Sequence, residues 1–378
     1  MRSKRTLVFI PIIIILLFCL LYELTLRPLI IEAYYGNAPE WFSELISFLY
    51  PRFEIEKERF DVIFFLERAD QVLYRFTIIS IIAAVILHLF HTSETFKSKF
   101  NNFWNPSTSK HNITVLRVLF YLSLIYIFYD AYPDLVLLYN AKAFYKPVLL
   151  LKLLHISYPT PTLSLIIFII YAGSCLLIVF NIFPIVFSIV SALFLVLIQG
   201  LFFSFEKIDH GFAPLTYASF LFPFLIYESQ KTKNETVNAW PLRLITICIA
   251  LIYLMSACEK LLLSGLGGIS AESFRVFLQL HNTPLGMQVA KSNLLCTVLP
   301  ALALLFQLSF VTALFIPRLK PFIMGTGFVF HALVHTLFNI GAIIHPWVLS
   351  YIFFIDWTFL QINFFRQVNK NRVKAGNH

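Results

Sequence analysis

The chain has 378 residues, of which 59% are hydrophobic and only 13% charged, with a net charge of +9. Its mean hydropathy is +0.79. A soluble globular chain carries about a quarter charged residues, so an ordinary soluble domain is excluded. The positive balance fits the cytoplasmic flanks of a membrane protein, and no basic stretch interleaved with aromatics points to nucleic acid. The 42 Phe and 17 Tyr suit lipid-facing helices and interfacial belts. Cys19, Cys175, Cys248, Cys258 and Cys296 lie in apolar runs with no CxxC pair, and read as small buried hydrophobes.

Apolar runs able to span a bilayer fall at 7–26, 76–91, 113–131, 162–181, 183–203, 211–227, 240–263, 293–315, 321–343 and 346–365. They predict an all-α, polytopic transmembrane helix bundle of about ten spans, with 8–10 as the range. The first run follows the basic start Met1–Arg5. It is too long for a signal-peptide core and no A-x-A site follows, so it is expected to stay as a span. Pro184 and His345 mark expected tight helical hairpins, because proline starts a helix more readily than it continues one. The chain then divides into a first span at 1–26, an extracytoplasmic segment at 27–75, a bundle at 76–366 and a basic cytoplasmic tail at 367–378. Within 27–75, Trp41, Leu45, Ile46, Phe48 and Leu49 beside the charged run Glu54–Arg59 predict short amphipathic helices on the membrane surface.

Lys and Arg placement sets the orientation. With the N-terminus inside, the inner flanks hold fifteen Lys and Arg against three acids, Glu94, Glu228 and Glu235. Both termini are therefore expected in the cytoplasm.

Ionisable groups in or beside spans are costly, so each is a site hypothesis. Glu259 and Lys260 end a helix that starts near Trp240. Twenty residues place Lys260 about 30 Å along it, near the outer boundary, where a snorkelling lysine is the plain alternative. Asp209 and His210 lie between two spans on the same side. A solvated loop explains them simply, although a carboxylate beside an imidazole also suits proton handling. His331 and His335 are four apart and share a helix face. A metal pair would need a third ligand, with His345 or Glu259 the available ones, so packed core histidines are the stronger expectation and no metal is assigned. Lys260, Asp209, His210 and His335 fall at one depth in the outer half, as a single polar pocket would require. Arg117, Asp130, Asp134 and Arg243 are expected to be ordinary helix-end residues.

Arg243-Leu244 followed by Ile252-Tyr253-Leu254-Met255-Ser256-Ala257-Cys258-Glu259-Lys260-Leu261 resembles the R-L…Y-x-x-A-G-x-x-K-L helix of the HTTM family. That family is named for the horizontally transferred transmembrane domain of vitamin K-dependent gamma-glutamyl carboxylase and its bacterial relatives. Arg117 through Asp130, Asp134 and Tyr139, then Asp209-His210, then His331 and Asp356 follow in the family's order, so the resemblance covers about 110–365. The family's glycine is missing here, and Asp209 stands where it has asparagine.

The resemblance implies Lys260 as the base toward a reduced quinone, with His210 as its partner. Asp209, Glu259, His331 and His335 are expected as supporting residues around them, although an ionised Glu259 would oppose deprotonation of Lys260. A lysine must be neutral to act as a base, and apolar surroundings disfavour its charged form. The chain ends at His378, without the family enzyme's C-terminal soluble domain, so carboxylation of protein glutamates is not expected. The expectation is an epoxidase-like oxidoreductase acting on a lipid-soluble quinol in a bacterial inner (plasma) membrane. Two other readings stay open. One is a non-enzymatic membrane factor for peptide maturation or export. The other is a small-molecule transporter, for which Gly325 and Gly327 would mark an unwound helix.

Overall fold

The computed structural model describes residues 13–50, 52–205, 211–265, 267, 270–341 and 345–359. The start of the run 7–26, the pair Asp209 and His210, and the tail 367–378 lie outside the described residues. Eight described helices are long and apolar enough to cross a membrane: Ile13–Tyr34, Val62–Thr92, Lys110–Phe144, Pro161–Val179, Pro184–Phe203, Trp240–Leu262, Asn293–Leu314 and Pro317–Phe338. The chain is an all-α bundle that splits into two compact units, residues 1–103 and 104–378.

The first unit begins with α1 (Ile13–Tyr34). It passes through a π-helical stretch, Tyr22–Leu26, where the Arg27 N–H returns to the Tyr22 carbonyl. Pro28 follows and has no N–H to give, so the wider turn absorbs the break in the ladder. Next come α2 (Glu40–Leu49), α3 (Phe53–Lys57) and α4 (Val62–Thr92). The Asp61 side chain caps α4 by accepting from the Phe64 N–H at 3.1 Å. That cap starts the helix 14 residues ahead of the apolar run read at 76–91. Ala33, Phe42, Phe53 and Phe65 form a small core under α2 and α3. Trp41, Leu45, Phe48 and Leu49 stay exposed on the other face of α2. Tyr50 Oη donates to Glu56. Burial, and then the Glu56 carboxylate, push that phenol up to about 12, so the proton stays on the tyrosine. Tyr22 Oη likewise donates to Asp70, tying α1 to α4. The helix α5 (Glu94–Trp104) closes the unit.

The second unit opens with a short strand, β1 (Ser107–Ser109), antiparallel to β2 (Thr236–Asn238), with Thr108 opposite Val237. Between them run α6 (Lys110–Leu137), α7 (Leu149–Leu153), α8 (Pro161–Val179), α9 (Pro184–Phe203) and α10 (Ala213–Lys231). After β2 come α11 (Trp240–Ser264), α12 (Ala271–His281), α13 (Pro284–Ala290), α14 (Asn293–Ser309), α15 (Lys320–Phe338) and α16 (Pro346–Leu349). The hairpin at Pro184 is tight: α8 ends at Val179, and Asn181 and Phe183 take left-handed conformations before Pro184 starts α9.

Lipid tails are as apolar as leucine, so close packing holds such helices together. Ser188, Ser191 and Ala192 of α9 and Ser174 and Cys175 of α8 are buried, while Ile166, Ile169, Val186 and Leu193 face outward. Small residues on the inner stripe let the backbones approach. Phe120 of α6 stacks on Phe222 of α10 at 5.2 Å between ring centroids, and Phe353 meets Phe120 edge-on.

Three expectations change. The run at 211–227 becomes α10, which is long enough but is not among the eight apolar spans. Pro214, Pro223 and its polar end Glu228-Ser229-Gln230-Lys231 lower its hydropathy. The run at 346–365 gives no second long hairpin arm among the described residues. α16 passes into a 3-10 turn, Ser350–Phe354, with Ile355 extended. Ser350, Tyr351, Phe353 and Phe354 are buried, and Asn112 of α6 accepts the Trp357 N–H at 2.8 Å. This segment fills the core instead of facing lipid. Arg117, finally, is no helix-end residue: it is buried and donates to Asn181 in the α8–α9 turn.

Gly286 of α13 sits where a Cβ would lie 2.6 Å from Thr283 Oγ1 and 2.7 Å from the Leu337 carbonyl of α15. Gly286→Ala must push α13 off the end of α15, and is expected to lower stability by about 1–3 kcal/mol. Gly173→Ala in α8 meets open space and should hold or slightly raise it. Thermal unfolding of both variants in detergent checks this contrast.

Candidate functional site: a polar cavity between α11, α14 and α15

Tyr253, Ser256 and Lys260 are spaced three and four residues apart on α11, so they share one face. That face meets α14 and α15. The Lys260 amine donates to Gln307 Oε1 of α14 at 2.9 Å. Gln307 is buried, whereas Lys260 is exposed along part of its length. Unpartnered charge is very costly away from water, and the amide oxygen supplies a neutral partner.

His331 of α15 lines the same cavity as Lys260. Its Nε2 lies 2.7 Å from Tyr253 Oη, which in turn lies 2.6 Å from Tyr351 Oη. Gly327, one turn before His331, makes room for this: a Cβ there would fall 2.3 Å from Tyr351 Oη. The Tyr253 ring is clamped between Phe310, stacked at 4.1 Å, and Trp347, edge-on at 4.8 Å.

The chain leaves α15 through Asn339 and Gly341, both at positive φ. A Cβ on Gly341 would strike the His345 ring at 2.4 Å, so glycine is required twice over. His335 Nδ1 donates to the Gly341 carbonyl at 2.7 Å and pins this turn. The turn lays His345 flat against His331, with ring centroids 5.7 Å apart and planes 14° apart.

These groups enclose a cavity of about 430 Å³, whose polar lining is Tyr253, Ser256, Lys260, Gln307, His331 and His345. No carboxylate lines it among the described residues. Phe330 and Val334 form a wall shared with a second cavity of about 180 Å³, which is apolar except for Thr326.

Lys260 and His331 thus meet in one site. His335, expected at the depth of Lys260, instead holds the turn behind it, and His331 takes the place beside the cavity. Glu259 is exposed and does not line the cavity. Asp209 and His210 lie outside the described residues. Among those residues no three His, Cys, Asp or Glu side chains gather as metal ligands, and the His331 and His345 rings stack face to face instead of converging. α15 runs unbroken past Gly325 and Gly327, so the unwound helix that a transporter reading would need is not found there.

Gln307, Tyr351 and Trp347 escaped the sequence reading. A lone amide in the apolar run of α14 was the available signal. Tyr351 and Trp347 carried none, because aromatics are common throughout this chain.

The model of the HTTM domain family matches residues 214–358. The match takes in nearly all of α10, then α11 to α16, and every described residue lining the cavity. Arg117, Asp130, Asp134, Tyr139, Asp209 and His210 precede it. No curated protein and no solved structure matches the chain. The chain is therefore a multi-pass membrane protein that carries an HTTM domain across residues 214–358.

Proposed function

We propose that the cavity binds the ring of a lipid-soluble quinol and that Lys260 takes a proton from one of its hydroxyls, in quinol-dependent, epoxidase-like chemistry. The observation that carries this reading is the Lys260 amine facing a cavity that has hydrogen-bonding groups and, among the described residues, no carboxylate. The residues fit the group. About 430 Å³ lies within the range of small-molecule sites, roughly 300–1,000 Å³, and the adjoining apolar cavity suits a hydrocarbon substituent. A bound quinol would supply an acidic hydroxyl and a readily oxidised ring, with dioxygen as the oxidant and the source of the epoxide oxygen.

The chain's own part is binding and proton handling. Lys260 accepts the proton in its neutral form, and Gln307 Oε1 receives the N–H of the ammonium that results. His331 and Tyr253 fix the opposite edge of the ring. Phe330, Val334 and Trp347 keep the site apolar, which strengthens each polar contact within it. The resemblance at Lys260 favours this chemistry over an unrelated use of the pocket. With α10 and the segment after His345 crossing the bilayer as well as the eight apolar helices, we place the protein in a bacterial plasma membrane with both termini cytoplasmic and the cavity toward the outer face.

Reduced menadione offered to proteoliposomes in air tests the role of Lys260. Epoxide should form with the natural chain and fall at least about 100-fold in Lys260→Met, the low end for loss of an acid–base group. Gln307→Leu should lower the rate about ten-fold by removing the ammonium's partner. Unchanged turnover in Lys260→Met would rule out the assigned role. Sidedness is tested in a background lacking the five native cysteines. Glu272→Cys should react with an impermeant maleimide added to intact cells, and Lys233→Cys only after permeabilisation. The opposite pattern would invert the topology.

A further inference from the structure

Tyr351, Tyr253 and His331 form a chain of hydrogen bonds whose direction follows from counting hydrogens. Each hydroxyl has one proton to give, and a neutral imidazole has one donor nitrogen and one acceptor nitrogen. Tyr351 is buried, and its hydroxyl has one partner among the described residues, Tyr253 Oη at 2.6 Å. Tyr253 Oη has a second partner, His331 Nε2 at 2.7 Å.

If His331 Nε2 carried the ring proton, it would donate to Tyr253. Tyr253 would then donate to Tyr351, and the Tyr351 proton would be left buried without an acceptor. A buried donor left unmade is costly, more so than a satisfied bond is favourable. In the other direction both buried hydroxyl protons find acceptors. Tyr351 donates to Tyr253, and Tyr253 donates to Nε2. The ring proton then stands on Nδ1, which has no partner among the described residues, on a side chain that lines the cavity.

We infer that Tyr351 and Tyr253 hold His331 as its Nδ1–H tautomer, so that this histidine presents a hydrogen-bond donor to an oxygen of the cavity's ligand. The ligand assignment rests on the function proposed above; the tautomer does not. Tyr253 and Tyr351 are positioning residues. Gly327 belongs to the same device, because its missing side chain admits the Tyr351 hydroxyl. Lys260 and His331 then divide the work. The first receives a proton at one oxygen, and the second donates to an oxygen that gains negative charge. A ligand that is a carbonyl or phenolic compound satisfies both. A ligand with only N–H donors on that edge does not.

Nitrogen-15 NMR of histidine-labelled protein in nanodiscs, without any quinone, tests the tautomer. The His331 signals are assigned by their loss in His331→Gln. The natural chain should show Nε2 unprotonated and Nδ1 protonated. Tyr351→Phe removes the proton that sets the direction, and should shift the ratio toward the Nε2–H form by about five-fold. Tyr253→Phe should do the same. Finding Nε2–H in the natural chain, or an unchanged ratio in folded Tyr351→Phe, overturns the inference. The natural chain's spectrum is decisive even if both variants misfold. Because the sample holds no quinol, failure of the proposed chemistry leaves this outcome untouched, and the reverse also holds.

Discussion

Away from water, a polar side chain needs a partner inside the protein, and the bond from Lys260 to Gln307 is where this rule shapes the site. α11, α14 and α15 could pack on apolar faces alone. Placing an amine on one and an amide on another fixes which faces meet. It also leaves a chamber between them that apolar side chains would have filled. The same constraint sets the opposite wall. Tyr253 can sit within the bundle because His331 and Tyr351 satisfy its hydroxyl, and Tyr351 can reach it because residue 327 is glycine.

Much of the architecture was legible from the apolar runs. Eight of them become helices both long and apolar enough to span, and Pro184 marks a hairpin for the stated reason. The two that differ suggested spans by their apolar runs, but one falls short of the others in hydropathy and the other in helix length. Prolines and a polar end set α10 apart. The described stretch Ser350–Phe354 is largely buried in protein, and composition alone does not separate burial in protein from burial in lipid. Arg117 misled in the same way: its place near a helix end suggested lipid headgroups, while its partner, Asn181, lies 64 residues away.

The site was legible in part. Lys260 stood out as a cation in an apolar helix, and its family motif pointed to the same residue. His331 and His335 were seen as a pair, but a shared helix face could not say which one meets the cavity. The answer depends on the turn at Gly341, which brings His345 under His331 and occupies His335 with its carbonyl. Gln307 shows the limit most plainly. It is neutral, so a search for ionisable groups passes over it, yet it is the residue that accepts from Lys260.

The central claim is that this chamber is a binding site for an oxygen-bearing, lipid-soluble ring. Mass spectrometry of the lipids and quinones that co-purify with the protein tests it most directly, comparing the natural chain with Ser256→Trp, whose indole fills the chamber. The account predicts a quinone retained by the natural chain in stoichiometric amount and lost from the variant. Equal retention by both, or no quinone with either, would contradict it.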